Sequence, residues 1–254
     1  MKKVSRILLA VLALSMMTIL FTACGKDDDG DSKKSAKDKQ ADYVALLKDA
    51  SKIDFTGKGA QALAESKGIK IDETVAENGD FQSVMGSDKF SLTITNVGGK
   101  VYVKGFYNDK DGNKQEFAYS VPEGSTIGDK ESTLSVDPSG VASFIKDENG
   151  NAVSDFSDVK YVKTEGGKDY VTATITTKGD DPESIPATLL FDEKTQKLAG
   201  LIVKPEGGEM TVNFGSFNLT VDASAYTEGT ETEIMTAMLS AMASAGTEGG
   251  DDEE

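Results

Sequence analysis

The side chains able to do covalent or acid–base work in this chain are few. Cys24 is the one thiol in 254 residues, Arg6 is the one guanidinium, and there is no His and no Trp. A thiol can act as a nucleophile, a metal ligand, a disulfide partner or an acyl acceptor. With no second cysteine and no imidazole, a disulfide framework, a thiolate–imidazole pair and a Cys/His zinc site are all excluded. No general base that titrates near neutral pH is present either. Ser–Lys chemistry, carboxylate dyads and oxygen-ligand cation sites remain as the available kits.

Carboxylates are abundant: 43 Asp and Glu stand against 27 Lys and Arg, for a formal charge of −16. Such a balance repels phosphates and anionic headgroups, so nucleic acid is excluded as a partner by charge. Abundance also makes any one acidic pair uninformative. No spacing picks out two carboxylates that would face each other across a sugar. Asn108-Asp109-Lys110-Asp111-Gly112-Asn113 contains a DxDG fragment near Glu116, and Asp147 to Asn151 is similar. A calcium loop needs more carboxylates at fixed offsets, and both stretches read as hairpin turns. No nucleophile elbow, phosphate loop or dinucleotide fingerprint is present. The expectation is a protein without catalytic, cofactor-binding or metal-binding residues.

Cys24 sits at the end of MKKVSRILLAVLALSMMTILFTACG, where Lys2, Lys3 and Arg6 precede an apolar run from Ile7 to Ala23. A positive start, a short apolar stretch and small residues before a cut site are the parts of a secretory signal. The run is shorter than the roughly 20 residues that span a bilayer. An uncleaved membrane anchor is the alternative. Phe21-Thr22-Ala23-Cys24 resembles a bacterial lipobox, with Phe21 departing from the usual aliphatic residue. The resemblance implies removal of residues 1–23 and acylation of Cys24 on its sulfur and its new N-terminus. Two chains would make a stable anchor where one would not. The protein would then be tied to the cell membrane on its extracytoplasmic side. Loss of Lys2, Lys3 and Arg6 would take the formal charge from −16 to −19.

The elements that follow must be what this anchor displays. Residues 24–40 contain no large apolar side chain and read as a disordered, charged tether. Tyr43, Val44, Leu47 and Ala50 share a helical face within 41–50, and a second short helix is predicted over Ala60 to Lys67 with Gly68 as its stop. From Phe90 the period becomes two. Leu92 and Ile94, then Val101 and Val103, then Phe117, Tyr119 and Val121 predict a three-stranded meander turned at Gly98-Gly99 and Asp111-Gly112. Further strands are predicted at Val159–Thr164, Tyr170–Thr177, Ala187–Asp192, Leu198–Lys204, Met210–Phe214 and Phe217–Val221. Alternation of apolar and polar positions implies a sheet with one wet face. Thr230 and Glu233 form a capping box ahead of a last helix carrying Ile234, Met235, Met238, Leu239 and Met242. That stripe reads as core, or as the wall of a loose pocket. Residues 246–254 form an acidic tail.

The predicted fold is α+β: a single domain over 41–245, built on a large curved antiparallel sheet, a half-barrel, with N-terminal and C-terminal helices packed on one face. A lipidated N-terminus, a polar tether, early helices and a meander of long strands, with the strand–FDEKTQK turn–strand of Pro186 to Lys204, resemble LolA-like and LprG-like lipoproteins. That resemblance implies a cavity for acyl chains and a lipid or other apolar ligand. The alternative is a lipoprotein with a filled core whose acidic surface meets a cationic protein partner. The anchor is directly testable. Cys24→Ala is expected to abolish metabolic labelling by a fatty-acid probe, and labelling that persists in the variant would rule the anchor out.

Overall fold

The structure, a computed structural model, describes residues 34–134, 137–179, 181–204 and 208–245. The lipobox-like segment, Cys24 and the acidic tail lie outside the described residues. Twelve strands form one open, mixed sheet accompanied by helices, an α+β fold as expected. The sheet is not wholly antiparallel, because the two-residue strand β12 (Thr227–Glu228) pairs parallel to β6 (Lys114–Ser120). The chain packs as two compact units. One comprises the described residues up to Asp54 and from Ser143 to Gly208, the other those from Phe55 to Ala142 and from Glu209 onward.

The first unit contains helix α1 (Ala36–Leu47) and strands β7 (Ser154–Glu165), β8 (Lys168–Thr177), β9 (Ser184–Asp192) and β10 (Leu198–Val203), in the order β10-β9-β8-β7. α1 starts ahead of the apolar pattern that predicts a helix from residue 41, because Ser35 and Asp38 cap it reciprocally. The first turns are thereby helical although no large apolar side chain marks them. Val171, Leu189 and Phe191 are fully buried, as are Tyr43 and Leu47 of this helix, and the Tyr43 and Phe191 rings lie 4.8 Å apart. β7 is the outer strand, and its register slips twice, between Ser157 and Lys160 and between Tyr161 and Lys163. Gln40 of α1 donates to the Val159 carbonyl and accepts from the Tyr161 N–H. Bulges and a covering side chain are the usual devices that keep a strand edge from recruiting another chain.

The second unit holds β1 (Gly59–Ser66), β2 (Ile69–Val75), β3 (Phe81–Gly86), β4 (Phe90–Val97), β5 (Lys100–Asn108), β6, β11 (Glu209–Gly215) and β12, in the order β12-β6-β5-β4-β3-β2-β1-β11. Two four- to six-residue helices, α2 (Lys130–Thr133) and α3 (Pro138–Ser143), precede the closing helix α4 (Glu231–Ala245). The helix predicted over Ala60 to Lys67 is strand β1 instead. AQALAES has helix-forming residues, but its alternating Ala60 and Ala62 face inward and its backbone is paired along both edges, to β2 and β11. Tertiary pairing overrides weak local propensity.

The meander from Phe90 forms as predicted, with Gly98 and Gly99 both at positive φ in the two-residue turn between Val97 and Lys100. The second turn is longer than two residues, running from Asp109 to Asn113 between the Asn108–Lys114 pair. Phe217–Val221 is not a strand: its side chains alternate between half-buried and exposed, yet the backbone joins no ladder. The segment continues across the sheet face that carries Gln82, Thr95 and Lys104, and Tyr226 meets Tyr102 at 5.0 Å. That explains why Thr93 and Thr95, expected on a wet face, are buried.

α4 lies over β4 and β5 and is capped as predicted, Thr230 N–H donating to Glu233 and Glu233 N–H to Thr230 Oγ1. Ile234, Ala237 and Ala241 point into the core with Phe90, Leu92 and Val103. The predicted apolar stripe therefore splits: Leu239 is 55% exposed, while Ile234 is fully buried. Gly105 lets these strands meet, since a Cβ there would stand 2.9 Å from the Phe117 ring and collide with the Ser91 carbonyl. Ile234→Ala is expected to destabilise the protein by about 2–5 kcal/mol, and Leu239→Ala by less than about 0.5 kcal/mol, as read from chemical denaturation.

Candidate functional site

α4 leaves one flank of the apolar face open. Met235, Met238 and Met242 recur along it at three- and four-residue spacing, so they share a helical face. Opposite them stand Met85 of β3 and Leu92 and Ile94 of β4, and together they line a cleft of about 380 Å³. Met235 is 40% and Met242 is 41% exposed, on the flank of the helix beside its buried face. The loop before α2 closes one end through Thr126, Ile127 and Gly128. Ile127 is itself part of the buried cluster that holds α4, so the loop is packed and not merely adjacent. Clefts of this size, mostly apolar with a few polar groups, are the common form of small-ligand sites. Unbranched, polarisable methionine suits a wall that must fit more than one shape.

The cleft floor carries one polar feature. Ser83 lines it and donates its hydroxyl to Glu73 Oε1 at 3.1 Å. Glu73 and Ser83 are directly paired across β2 and β3, and Glu73 has 0% exposure. Both side chains lie on the same sheet face as Ile94, the partner of Ser83 on β4. None of the described residues lining the cleft is charged. A larger depression near Leu63, Lys70 and Glu209 is broad and mixed in character, without a converging set of side chains.

In the first unit Asp169 is a buried carboxylate, 1% exposed, at the end of the apolar row Val171, Ala173 and Ile175 on β8. Lys39 of α1 reaches it at 2.7 Å and also contacts Glu193 at 3.0 Å and Thr164 at 2.8 Å. Tyr43 donates to the other oxygen of Asp169 at 2.7 Å. Burial pushes the Asp169 carboxyl upward, but bonds from Lys39, Thr164 and Tyr43 outweigh it and hold the group below the usual carboxylate range. Burial likewise pushes Lys39 down, and its bonds to Asp169 and Glu193 more than reverse this. Tyr43 is pushed well above the ordinary phenol range, first by burial and then by Asp169. Each group faces a partner, so the cluster fastens α1 to the sheet.

Cys24, the one site residue predicted from the sequence, lies outside the described residues. Of the two acidic turns, Asp109 accepts from the N–H groups of Asp111 and Asn113 and from Gln115, which lowers its pKa chiefly through the Asn113 bond. Asp147 is lowered in the same manner by Asn151 and Asn149. Their carboxylates close their own loops, as a turn reading requires. The cleft itself was only half visible in the sequence: the methionine spacing was legible, but the strands it would face were not.

No family model matches this chain, and no curated protein matches it. Among solved structures, it is similar to the hypothetical lipoprotein YmcC from Escherichia coli (K12), at 8% identity and a TM-score of 0.18 over 73% of this chain and 99% of that one. A second, described as an outer membrane lipoprotein-sorting protein domain from Vibrio parahaemolyticus, gives 8% identity and 0.19 over 81% and 100%. Scores this low fix neither a family nor a ligand. Among the described residues no helix is long and apolar enough to cross a membrane.

The Lys39–Asp169 pair makes a stability prediction. Lys39→Met leaves a buried carboxylate without its cation and is expected to cost about 3–5 kcal/mol, with Lys39→Met/Asp169→Leu recovering much of it. Because the folded pKa of Asp169 is depressed, its contribution is complete above the unfolded value of about 4. That contribution fades as pH falls through the lower folded value. Denaturation midpoints between neutral and acid pH should therefore fall more steeply in the wild type than in the double variant.

Proposed function

We propose that this protein is a membrane-anchored envelope lipoprotein that binds a lipid or other apolar ligand in the cleft beside α4 and catalyses no reaction. The observation that carries the reading is the methionine wall. Three methionines of one helix face an apolar strand pair across about 380 Å³, with two of them some 40% exposed. Ordinary core packing would bury such side chains, whereas an amphiphile's chain would cover them. The signal-like segment ending at Cys24 supplies the location, in keeping with a lipobox and an acyl anchor.

Catalysis finds little support in the side chains. Asp109, Asp147, Asp192 and Asp222 are held below the usual range by bonds within their own turns, which suits them as acceptors and not as proton donors near neutrality. Lys39, the most buried cation described, is tied up by Asp169 and Glu193. A binding protein needs only the cleft.

Native mass spectrometry of the intact protein released from detergent micelles is expected to reveal non-covalent apolar mass beyond any covalent anchor. Met235→Lys/Met242→Lys replaces two partly exposed side chains and should remove that mass while the far-UV circular dichroism spectrum stays that of the wild type. An empty wild-type protein that also fails to take up added lipid would sink the proposal. A defined protein neighbour crosslinked on intact cells would then favour the interaction reading.

A further inference from the structure

The cleft gathers most of the methionine sulfur of the domain. Of the eight methionines in the chain, Met1, Met16 and Met17 belong to the signal-like segment, and four of the remaining five, Met85, Met235, Met238 and Met242, line this one space. The fifth, Met210 on β11, is 8% exposed. With no His and no Trp, and with Cys24 as the one thiol, these thioethers are the most readily oxidised side chains of the domain. Their access to solvent is graded: Met235 and Met242 are exposed, while Met85 and Met238 are half-buried. Met85 and Met238 also pack against the cluster of Phe90, Leu92 and Ile234 that seats α4. Met235 and Met242 stand outside that cluster, so a change in their chemistry is felt in the cleft and not in the core.

We infer that Met235 and Met242 are a modification site for a two-electron oxidant of the peroxide class, and that their conversion to methionine sulfoxide empties the cleft. Hydrogen peroxide transfers one oxygen atom to the thioether. Its O–O bond breaks, an S–O bond forms on an electron pair that the sulfur supplies, and water leaves. Sulfur is thereby oxidised, and peroxide reduced, by two electrons. The product puts a polar, hydrogen-bond-accepting oxygen where an apolar thioether stood. In the open cleft water bonds that oxygen, because the two residues are 40% and 41% exposed, so the unoccupied fold tolerates it. An apolar chain lying along the wall strips the water away, and an acceptor left facing Leu92 and Ile94 without a partner weakens binding. The penalty falls on the occupied state alone, which is the condition for a modification to shift the equilibrium. Reduction by a pair of methionine sulfoxide reductases, one for each epimer, restores the wall. This inference rests on the apolar-ligand reading above and adds the regulation of that site.

The test uses the full-length chain in detergent, hydrogen peroxide as the oxidant and a photoactivatable long-chain alcohol as the probe. Peptide mass spectrometry follows the added oxygen at each methionine. Met235 and Met242 are expected to convert first and Met210 last. Once both are converted, probe labelling of α4 should fall about tenfold. The far-UV circular dichroism spectrum should not change, and labelling should return after treatment with both reductases. Met235→Leu/Met242→Leu keeps an apolar wall without those thioethers. Whatever its starting level, its labelling should change less than about twofold on the same treatment. Labelling that survives full conversion, an equal loss in the double variant, loss of the fold on oxidation, or Met210 converted as fast as the other two overturns the inference and leaves the apolar-ligand reading intact. Absence of α4 labelling before oxidation overturns that reading, and this inference with it. Should the double variant not fold, the wild-type loss and its reversal by the reductases decide alone.

Discussion

An α-helix with its side chains is about 10–12 Å across, and neighbouring strands stand about 4.8 Å apart, so one helix covers the width of roughly two strands. The second unit has eight strands and one long helix, and α4 lies on β4 and β5. Everything distinctive about its apolar face follows from that shortfall. Where α4 sits, Ile234, Ala237 and Ala241 close against Phe90, Leu92 and Val103 with no exposed atoms to speak of. One strand further, over β3, the helix runs out of width, and its flank and the sheet diverge. The loop around Ile127 closes one end of the gap, and methionines face into the rest.

Each unit also buries a carboxylate on its sheet, and the two are handled differently. Asp169 is met by an ammonium, a phenol and a threonine hydroxyl, a set that satisfies both oxygens and anchors the helix bringing two of those groups. A buried pair of this kind adds little net stability over an apolar replacement, though losing one member is severe. Its effect is positional: α1 can dock only with Lys39 over Asp169 and Tyr43 beside Phe191. Glu73 instead orients a hydroxyl at the edge of an open space. The first arrangement ends in packing, the second in a hydroxyl at the cleft floor.

How much of this was legible in the sequence depended on range. The β4–β5–β6 meander was readable because alternation and a Gly-Gly turn are local signals, and the start of α4 because Thr230 and Glu233 are three residues apart. β1 was misread as a helix: AQALAES suits a helix by propensity, and only pairing to β11, whose Val212 faces Ala62, makes it a strand. Phe217–Val221 failed the opposite way, since alternation reports which side chains turn inward and not whether the backbone finds a partner. Lys39 and Asp169 are 130 positions apart in the chain, with nothing in either neighbourhood to connect them. The cleft needed the same kind of information, because a methionine stripe becomes a wall only once the helix is placed over particular strands.

That placement has a further physical consequence. A cleft lined by Leu or Ile at fixed rotamers would be either well filled by one shape or costly to leave open, since stiff side chains cannot follow a changing occupant. Methionine has three rotatable bonds and no branch, so Met235, Met238 and Met242 can close on one another when the space is empty and spread when it is filled. The strands opposite are rigid by comparison, with Ile94 paired to Ser83 on one side and Val103 on the other. One wall adapts and the other holds register. Discrimination by chain shape is therefore weak in such a site, and the selective element must be a group that does not move. In this cleft the Ser83 hydroxyl, bonded from behind to the fully buried Glu73, is such a group.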